Sequence, residues 1–456
     1  KKLFMGFSLG VFSFLGMVFL LYKMYLPAIV VIVLAFLVSR KIKVKRFWIL
    51  LLVVSFLIRL AAIVVFNFPQ TTDFKLMYEC ALKFVNHDFS WNSTPYFMMW
   101  PYQSGFVVYE GLLLKLINNI YFLKVLNIIY ESLLVVLIYY FSRRFVKDES
   151  ARVAAILFMV YPYNIYLGTT LANHHIATIL SYLGIVFLLS RKKKPYYFIV
   201  AGILIGLSNV LRPEGIIVIF SYLLFMIFNL KKDNFKKEVL GFLILVVSYG
   251  GINLICSNLI ILSGVNKDGL KNTNPLWKFV LGFNGDSCGY YDSNDEVYIN
   301  DREKELEVIK ERLNPSNVGR LVLCKTDRMW LSNKIDVKDA SYDKVYYIGN
   351  IKIKFNDLAN VVSLTNHYIF LFVIAMMILG VFRNRKDIIN NESLFFLIMV
   401  VVAYFVFLLI EIQPRYLYLI HPSIFILSAY GIEEVMKKTL PEKFHEMNLR
   451  ALNYNI

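Results

Sequence analysis

Apolar runs close to 20 residues long recur along this chain, separated by short clusters of Lys and Arg, and that alternation constrains its fold more than any other feature. A helix rising about 1.5 Å per residue needs about 20 apolar residues to cross the hydrocarbon core of a bilayer. Water is absent there, so the backbone must satisfy itself as helix. The runs fall at about 3–22, 25–39, 47–66, 121–141, 151–169, 174–190, 196–211, 214–230, 238–263, 367–382, 393–411 and 416–436. A composition that is 58% hydrophobic and 16% aromatic excludes an ordinary soluble protein. Run 3–22 lacks a convincing small-residue cleavage site and is followed by eleven others, so it reads as a retained helix, not a signal peptide.

A formal net charge of +17 invites a nucleic-acid reading, but the position of the charge decides the matter. The clusters are R-K-I-K-V-K-R (40–46), R-R-F-V-K (143–147), R-K-K-K (191–194), K-K-D-N-F-K-K (231–237), R-N-R-K (383–386) and Lys437-Lys438. With twelve helices at the runs above, every cluster falls on the same side. The positive-inside rule assigns that side and both termini to the cytoplasm, and no nucleic-acid partner is expected. The expected fold is therefore an all-α polytopic membrane protein of about twelve transmembrane helices, surrounded by membrane lipids. High Lys, Ile, Asn and Tyr usage resembles proteins of AT-rich bacteria, which suggests a bacterial cytoplasmic membrane.

Two segments on the opposite side are too long to be connectors. The first, 67–120, carries Asp73, His87-Asp88, the aromatics Trp91, Tyr96 and Trp100, and S-G-F-V-V-Y-E-G-L-L-L-K-L-I-N at 104–118. In that last piece Ser104, Gly111, Lys115 and Asn118 share one helical face, as in a helix lying in the membrane interface. The second, 264–366, reads as a small extracytoplasmic α or α/β domain between the ninth and tenth helices. Lys267 to Asp357 holds 15 basic and 15 acidic residues, a balance that suits a translocated region. Helices are expected there over 301–313, with Leu306, Ile309 and Leu313 on one face, and over 316–331. The resulting organisation is a membrane module at 1–263, the soluble domain at 264–366, three final helices within 367–438 and a cytoplasmic tail at 439–456.

Ionisable residues inside a membrane span mark function by default. Here they gather mostly at the outer helix ends: Arg212 and Glu214 flank Pro213, His174 and His175 follow T-T-L-A-N, Glu411 and Arg415 bracket a proline turn, and His421 lies near the start of the last run. Snorkelling to headgroups is the plainer role for Arg212, and a satisfied helix-end group the plainer one for the two histidines. Arg415, set beside Tyr416 after a proline, is well suited to a phosphate at the interface. Cys288 and Cys324 share the large outer segment, and two unpaired thiols are favoured there over a disulfide. No phosphate-binding loop, H-E-x-x-H or G-x-S-x-G occurs, which argues against an ATP-driven pump, a zincin and a serine hydrolase.

Several stretches carry a resemblance: T-T-D-F-K-L-M-Y (71–78), Y-P-Y-N-I-Y (161–166), G-L-S-N-V-L-R-P (206–213), the block W-K-F-V-L-G-F-N-G-D-S-C-G (277–289) and P-R-Y-L-Y-L-I-H-P (414–422). In their order and common sidedness the chain resembles the membrane glycosyltransferases of the GT-C superfold, especially the bacterial branch of the dolichyl-phosphate-mannose-protein mannosyltransferase-like family (glycosyltransferase family 39). The resemblance implies a polyprenyl-phosphate-linked sugar donor and transfer on the extracytoplasmic face. A single inverting displacement needs one carboxylate to take the acceptor proton and cations for the departing phosphate. Asp73 is then the general base, with Arg415 first, Arg212 second and Lys83 third as phosphate ligands. Glu79, His87, Glu110, His174, His175 and Glu411 are auxiliary candidates.

Two departures from the family matter. The protein mannosyltransferases carry Asp-Glu where this chain has Asp73-Phe74, so the acceptor implied is a glycan, a teichoic acid or a lipid. Many relatives have an acidic residue where this chain has Asn173-His174-His175, leaving Glu79 or Glu110 as substitutes. No cofactor is required by the sequence; a divalent cation is possible, although Asp73, Glu79 and Asp88 lack the spacing of a ligand set. The alternatives are a polymerase or ligase of the same superfold using lipid-linked oligosaccharide, and, from another class, a flippase for a lipid-linked glycan. Transporters often show repeated halves and midplane charges. In this sequence the ionisable residues gather near one face and no repeat is visible, so an enzyme is the preferred reading.

Overall fold

The computed structural model describes residues 26–42, 44–66, 68–190, 194–230, 235–332, 345–348 and 351–439. The expected span 3–22, parts of the basic clusters at 191–194 and 231–237, and nearly all of the tail at 439–456 lie outside the described residues.

Leu26–Lys41 (α1), Phe47–Phe66 (α2), Thr72–Val85 (α3), Ser104–Leu116 (α4), Ile120–Ser142 (α5), Asp148–Met159 (α6), Pro162–Gly168 (α7), His174–Leu188 (α8), Pro195–Leu211 (α9), Gly215–Phe228 (α10) and Phe235–Leu262 (α11) build the first part of the bundle. After an irregular stretch come Trp277–Gly282 (α12), Arg302–Arg312 (α13) and Pro315–Lys325 (α14), then Phe355–Arg383 (α15), Ser393–Leu409 (α16) and His421–Thr439 (α17). Among the described residues four helical segments are long and apolar enough to cross a membrane: α2, α5, α11 and Ala359–Arg383 within α15. Helices α8, α9, α10 and α16 are apolar but shorter. On α11 the side chains of Leu243, Val247, Leu254 and Leu259 are exposed, as suits contact with lipid tails.

Proline accounts for two differences from the expected spans. The run at 151–169 is two helices, α6 and α7, parted at Val160-Tyr161, because Pro162 offers no N–H to the preceding turn and disfavours helix before it. The run at 416–436 starts instead with a 3₁₀ turn, Pro414–Leu419, before α17. Helix α17 packs closely on α15: a Cβ at Gly431 would lie 2.0 Å from the Met376 carbonyl oxygen, so only glycine lets the two backbones meet.

Basic clusters distant in sequence meet at one end of the bundle. Arg144 at the end of α5 lies 2.8 Å from Glu392 before α16, and it donates to the Leu189 carbonyl after α8 at 3.1 Å. The Lys147 N–H donates to Glu433 on α17 at 2.7 Å, and Arg152 on α6 stacks 4.5 Å over Phe47 at the start of α2. The opposite end is capped by segments 68–119 and 263–332.

Within that cap Trp277, Val280, Leu281 and Val308 form a small hydrophobic cluster of their own, against which Met99 and Trp100 pack. Helix α13 turns Glu305, Val308 and, as expected, Ile309 inward, but Leu306 and, just past its end, Leu313 are exposed, so its buried face is rotated from the expected one. Helix α4 buries Ser104 and Gly111 and exposes Leu112 and Leu116. A two-stranded antiparallel hairpin pairs Val345–Ile348 with Ile351–Lys354, Val345 opposite Lys354. Cys288 and Cys324 are joined as a disulfide, correcting the expectation of two thiols; the turn at 284–289 and helix α14 bring their Cα atoms to 5.9 Å, within disulfide reach.

Candidate active site

A cleft of about 970 Å³ opens at the capped end of the bundle, where turns between apolar helices meet the cap. Asp73 enters it from the first turn of α3. The residue before it, Thr72, has φ +49°, a left-handed conformation that is costly for a β-branched side chain. Such backbone strain concentrates at functional sites. Arg212 and Glu214 reach the cleft from the turn between α9 and α10, Glu411 and Gln413 from the turn after α16, and Arg415 and Tyr416 from the 3₁₀ turn that follows.

Three ion pairs line this space. Arg415 Nη2 donates to Asp73 Oδ2 at 3.0 Å, with the guanidinium 5.0 Å over the ring of Phe74. Arg212 Nε donates to Glu214 Oε1 at 2.5 Å and its Nη1 to Asn173 Oδ1 at 3.2 Å. Lys278, from α12 of the cap, bonds Glu411, whose other oxygen accepts from Gln413 Nε2 at 2.8 Å. The Tyr416 ring unites the last two pairs: Arg212 stands 5.2 Å and Lys278 5.7 Å from its centroid. Tyr96, Trp100, Tyr102 and Trp277 supply aromatic wall. Burial pushes the Tyr102 phenol up to about 12, against the pull of Lys278, so it remains a hydrogen-bond donor. Burial lowers the Lys278 ammonium, but Tyr416 and Glu411 outweigh it and hold the group above its ordinary value.

The free polar capacity of Arg415 is notable. Its Nε is buried and has no partner among the described residues, while Nη2 is engaged by Asp73. A guanidinium carries five N–H donors, so it can hold the Asp73 carboxylate and an anion together. The Lys278 contact was not anticipated; it sits inside W-K-F in an outer segment without helical periodicity, and only the fold brings it to the cleft.

Asp73, Arg212, Glu411 and Arg415 thus share one cleft, and the other candidates lie elsewhere. Lys83 is exposed ten residues further along α3, about 15 Å away at helical rise, and does not reach the cleft. Glu79 is exposed and faces Lys75 at 3.7 Å, and His87 is exposed beyond the end of α3. Glu110 is buried in α4, outside the cleft lining, with Oε2 unpartnered among the described residues and its carboxyl pushed well above the usual range by that burial. His174 is fully buried behind the cleft, between Phe74 and Tyr418 at 6.2 and 5.9 Å between ring centres. His175 points into the bundle interior, to the Tyr418 hydroxyl and the Leu167 carbonyl. Among the described residues no three His, Cys, Asp or Glu side chains gather to hold a metal ion, and Asp73, Glu79 and Asp88 do not converge.

The helical bundle with its cap is similar to known proteins in two comparisons, one of sequence and one of structure, and the fold is of the GT-C type. Residues 111–250 match the family described as dolichyl-phosphate-mannose-protein mannosyltransferase. The oligosaccharyltransferase of Archaeoglobus fulgidus in its apo form shares the fold with TM-score 0.50 at 16% identity, over 89% of this chain and 52% of that one. A second structure, archaeal oligosaccharyltransferase AglB from the same organism in complex with an inhibitory peptide and a dolichol-phosphate, gives TM-score 0.49 at 15% identity, over 90% and 52%. The chain therefore spans about half the length of the solved structures it matches. No curated protein matches it.

Proposed function

We propose that this chain is a membrane glycosyltransferase that moves a sugar from a polyprenyl-phosphate donor to a hydroxyl of a cell-envelope glycan, teichoic acid or lipid. The observation that carries the reading is the Asp73–Arg415 pair at 3.0 Å inside an aromatic-walled cleft at a bundle end. Asp73 takes the acceptor hydroxyl's proton as that oxygen forms its bond to the anomeric carbon. The bond from the anomeric carbon to the lipid phosphate oxygen breaks on the opposite face, and the phosphate leaves with the electron pair. Arg415 Nε and the Arg212 guanidinium are placed to meet the charge that builds on the phosphate. Transfer with one displacement inverts the anomeric centre.

We place the cleft on the extracytoplasmic face of a bacterial plasma membrane, with both termini inside. The basic ends of α1, α5, α15 and α17 support this, because the positive-inside rule puts them in the cytoplasm and the cleft lies at the other end. The Cys288–Cys324 disulfide on the cleft side agrees with an oxidising compartment. Phe74, where protein mannosyltransferases carry Glu, supports an acceptor other than protein. The test is Asp73→Asn, assayed for sugar transfer from a synthetic polyprenyl-phosphate donor. Loss of a good general base is expected to slow transfer by about 10²–10⁴-fold. Turnover equal to wild type removes Asp73 from the mechanism.

A further inference from the structure

The interior of the bundle holds a second charged constellation, outside the cleft. Arg59 in α2 and Glu131 in α5 are 0% and 1% exposed at their side chains, and Arg59 Nε donates to Glu131 Oε2 at 2.6 Å. The guanidinium also donates to Ser55 Oγ at 2.7 Å and to the Met159 carbonyl at 3.1 Å. The other carboxylate oxygen, Oε1, accepts from the Tyr418 hydroxyl at 2.9 Å. His175 Nδ1 lies 2.9 Å from that hydroxyl, and its Nε2 donates to the Leu167 carbonyl at 3.0 Å. A Cβ at Gly168 would come 2.5 Å from Glu131 Oε2, so the carboxylate approaches where only glycine leaves room. Charges buried this deeply are costly unless paired, and within membrane helices they mark a task.

The outlet of this network is Tyr418, which belongs to the same 3₁₀ turn as Arg415 and Tyr416. Three residues apart in a 3₁₀ helix, Arg415 and Tyr418 lie on one edge. A chain of edge-to-face rings links them a second time: the Tyr418 ring meets His174 at 5.9 Å, His174 meets Phe74 at 6.2 Å, and Arg415 sits 5.0 Å over Phe74. Phe74 is the neighbour of Asp73. Tyr418 therefore supports Arg415 through the backbone of its turn and Asp73 through this chain of rings.

We propose that Tyr418, pinned by the buried Arg59–Glu131 pair, is a positioning residue that sets the alignment of Asp73 with Arg415. Its kinetic consequence rests on the glycosyl-transfer reading above; its structural consequence does not. The experiment compares Tyr418→Phe with Tyr430→Phe in the full chain. Tyr430 is a control of the same kind, a buried phenol bonded to Asn391 and Ser393 at 2.9 and 3.0 Å at the opposite, basic end. For Tyr418→Phe, kcat/KM is expected to fall about tenfold, with a change in Tm no larger than that of Tyr430→Phe. Hydrogen exchange at the amides of Tyr416 and Ile420 should quicken in the first variant only. Equal kinetics in Tyr418→Phe and wild type, or an equal loss in both variants, overturns the proposal. If the wild-type protein transfers no sugar, the functional reading fails, and exchange over 414–420 decides the positioning alone: protection unchanged by Tyr418→Phe overturns it.

Discussion

The charges of the cleft and the charges of the interior are built from the same residue types, yet they can do different things. At the cleft the Asp73 side chain is 41% exposed and Arg415 21%, while Arg59 and Glu131 are 0% and 1% exposed. A partly hydrated pair loses little when one member turns to a ligand, because water and the ligand replace the lost partner. A pair sealed among apolar helices has no such replacement. The Asp73–Arg415 pair is therefore suited to exchange partners during a reaction, and the interior pair to hold elements still. Both meet at the turn Pro414–Leu419, which carries Arg415 on one side of the comparison and Tyr418 on the other.

The sharpest way to break this contrast is to remove one interior charge. Glu131→Leu leaves the Arg59 guanidinium buried without its carboxylate, and we expect a destabilisation of about 3–5 kcal/mol. The double variant Arg59→Met/Glu131→Leu removes both charges and should recover much of that loss. Thermal unfolding in detergent checks both. If the single and double variants unfold together at the wild-type temperature, the interior pair holds nothing.

The corresponding change at the cleft should act on turnover rather than on folding. Arg415→Ala removes the donor nearest Asp73 and the cation proposed for the lipid phosphate. A drop of about 10²–10³-fold in kcat/KM is expected from losing one such preorganised group. Because the pair is partly hydrated, Tm should move little. Steady-state transfer kinetics alongside unfolding separate the two effects. A large fall in Tm with unchanged kinetics would reverse the assignment of roles between the two regions.

The same contrast explains what could be read from the chain alone. Asp73, Arg212, Glu411 and Arg415 stand at breaks between apolar runs, where hydropathy shows the turns directly, and the clustering of those turns follows from antiparallel helices. Arg59 and Glu131 sit inside such runs, and their neighbours masked them although a lone charge amid L-I-R-L-A-A signals a buried partner. Lys83 and His87 were misplaced because proximity in a loop was assumed, whereas residues 72–85 form a helix that carries them away from Asp73. The inward face of α13 was misjudged because a mostly charged helix offers too weak a hydrophobic stripe to fix its rotation. The disulfide needed three-dimensional proximity that no spacing of two cysteines conveys.

Glu110 is the residue that fits neither region, and it yields the smallest effect. It is buried like Glu131 but has no cationic partner among the described residues, and burial raises its carboxyl well above the usual range. The sign follows from linkage: the folded protein keeps the proton longer than the unfolded chain does. Its contribution is fully present below the unfolded carboxyl value and is lost as pH rises through the folded one. Wild-type Tm should therefore decline from mildly acidic toward neutral pH, and Glu110→Gln, which is uncharged throughout, should flatten that decline while matching wild type at the acidic end. Unfolding measured across that pH range checks it. A parallel decline in Glu110→Gln would mean that Glu110 finds a partner on ionising, and would place it with the exchangeable charges of the cleft.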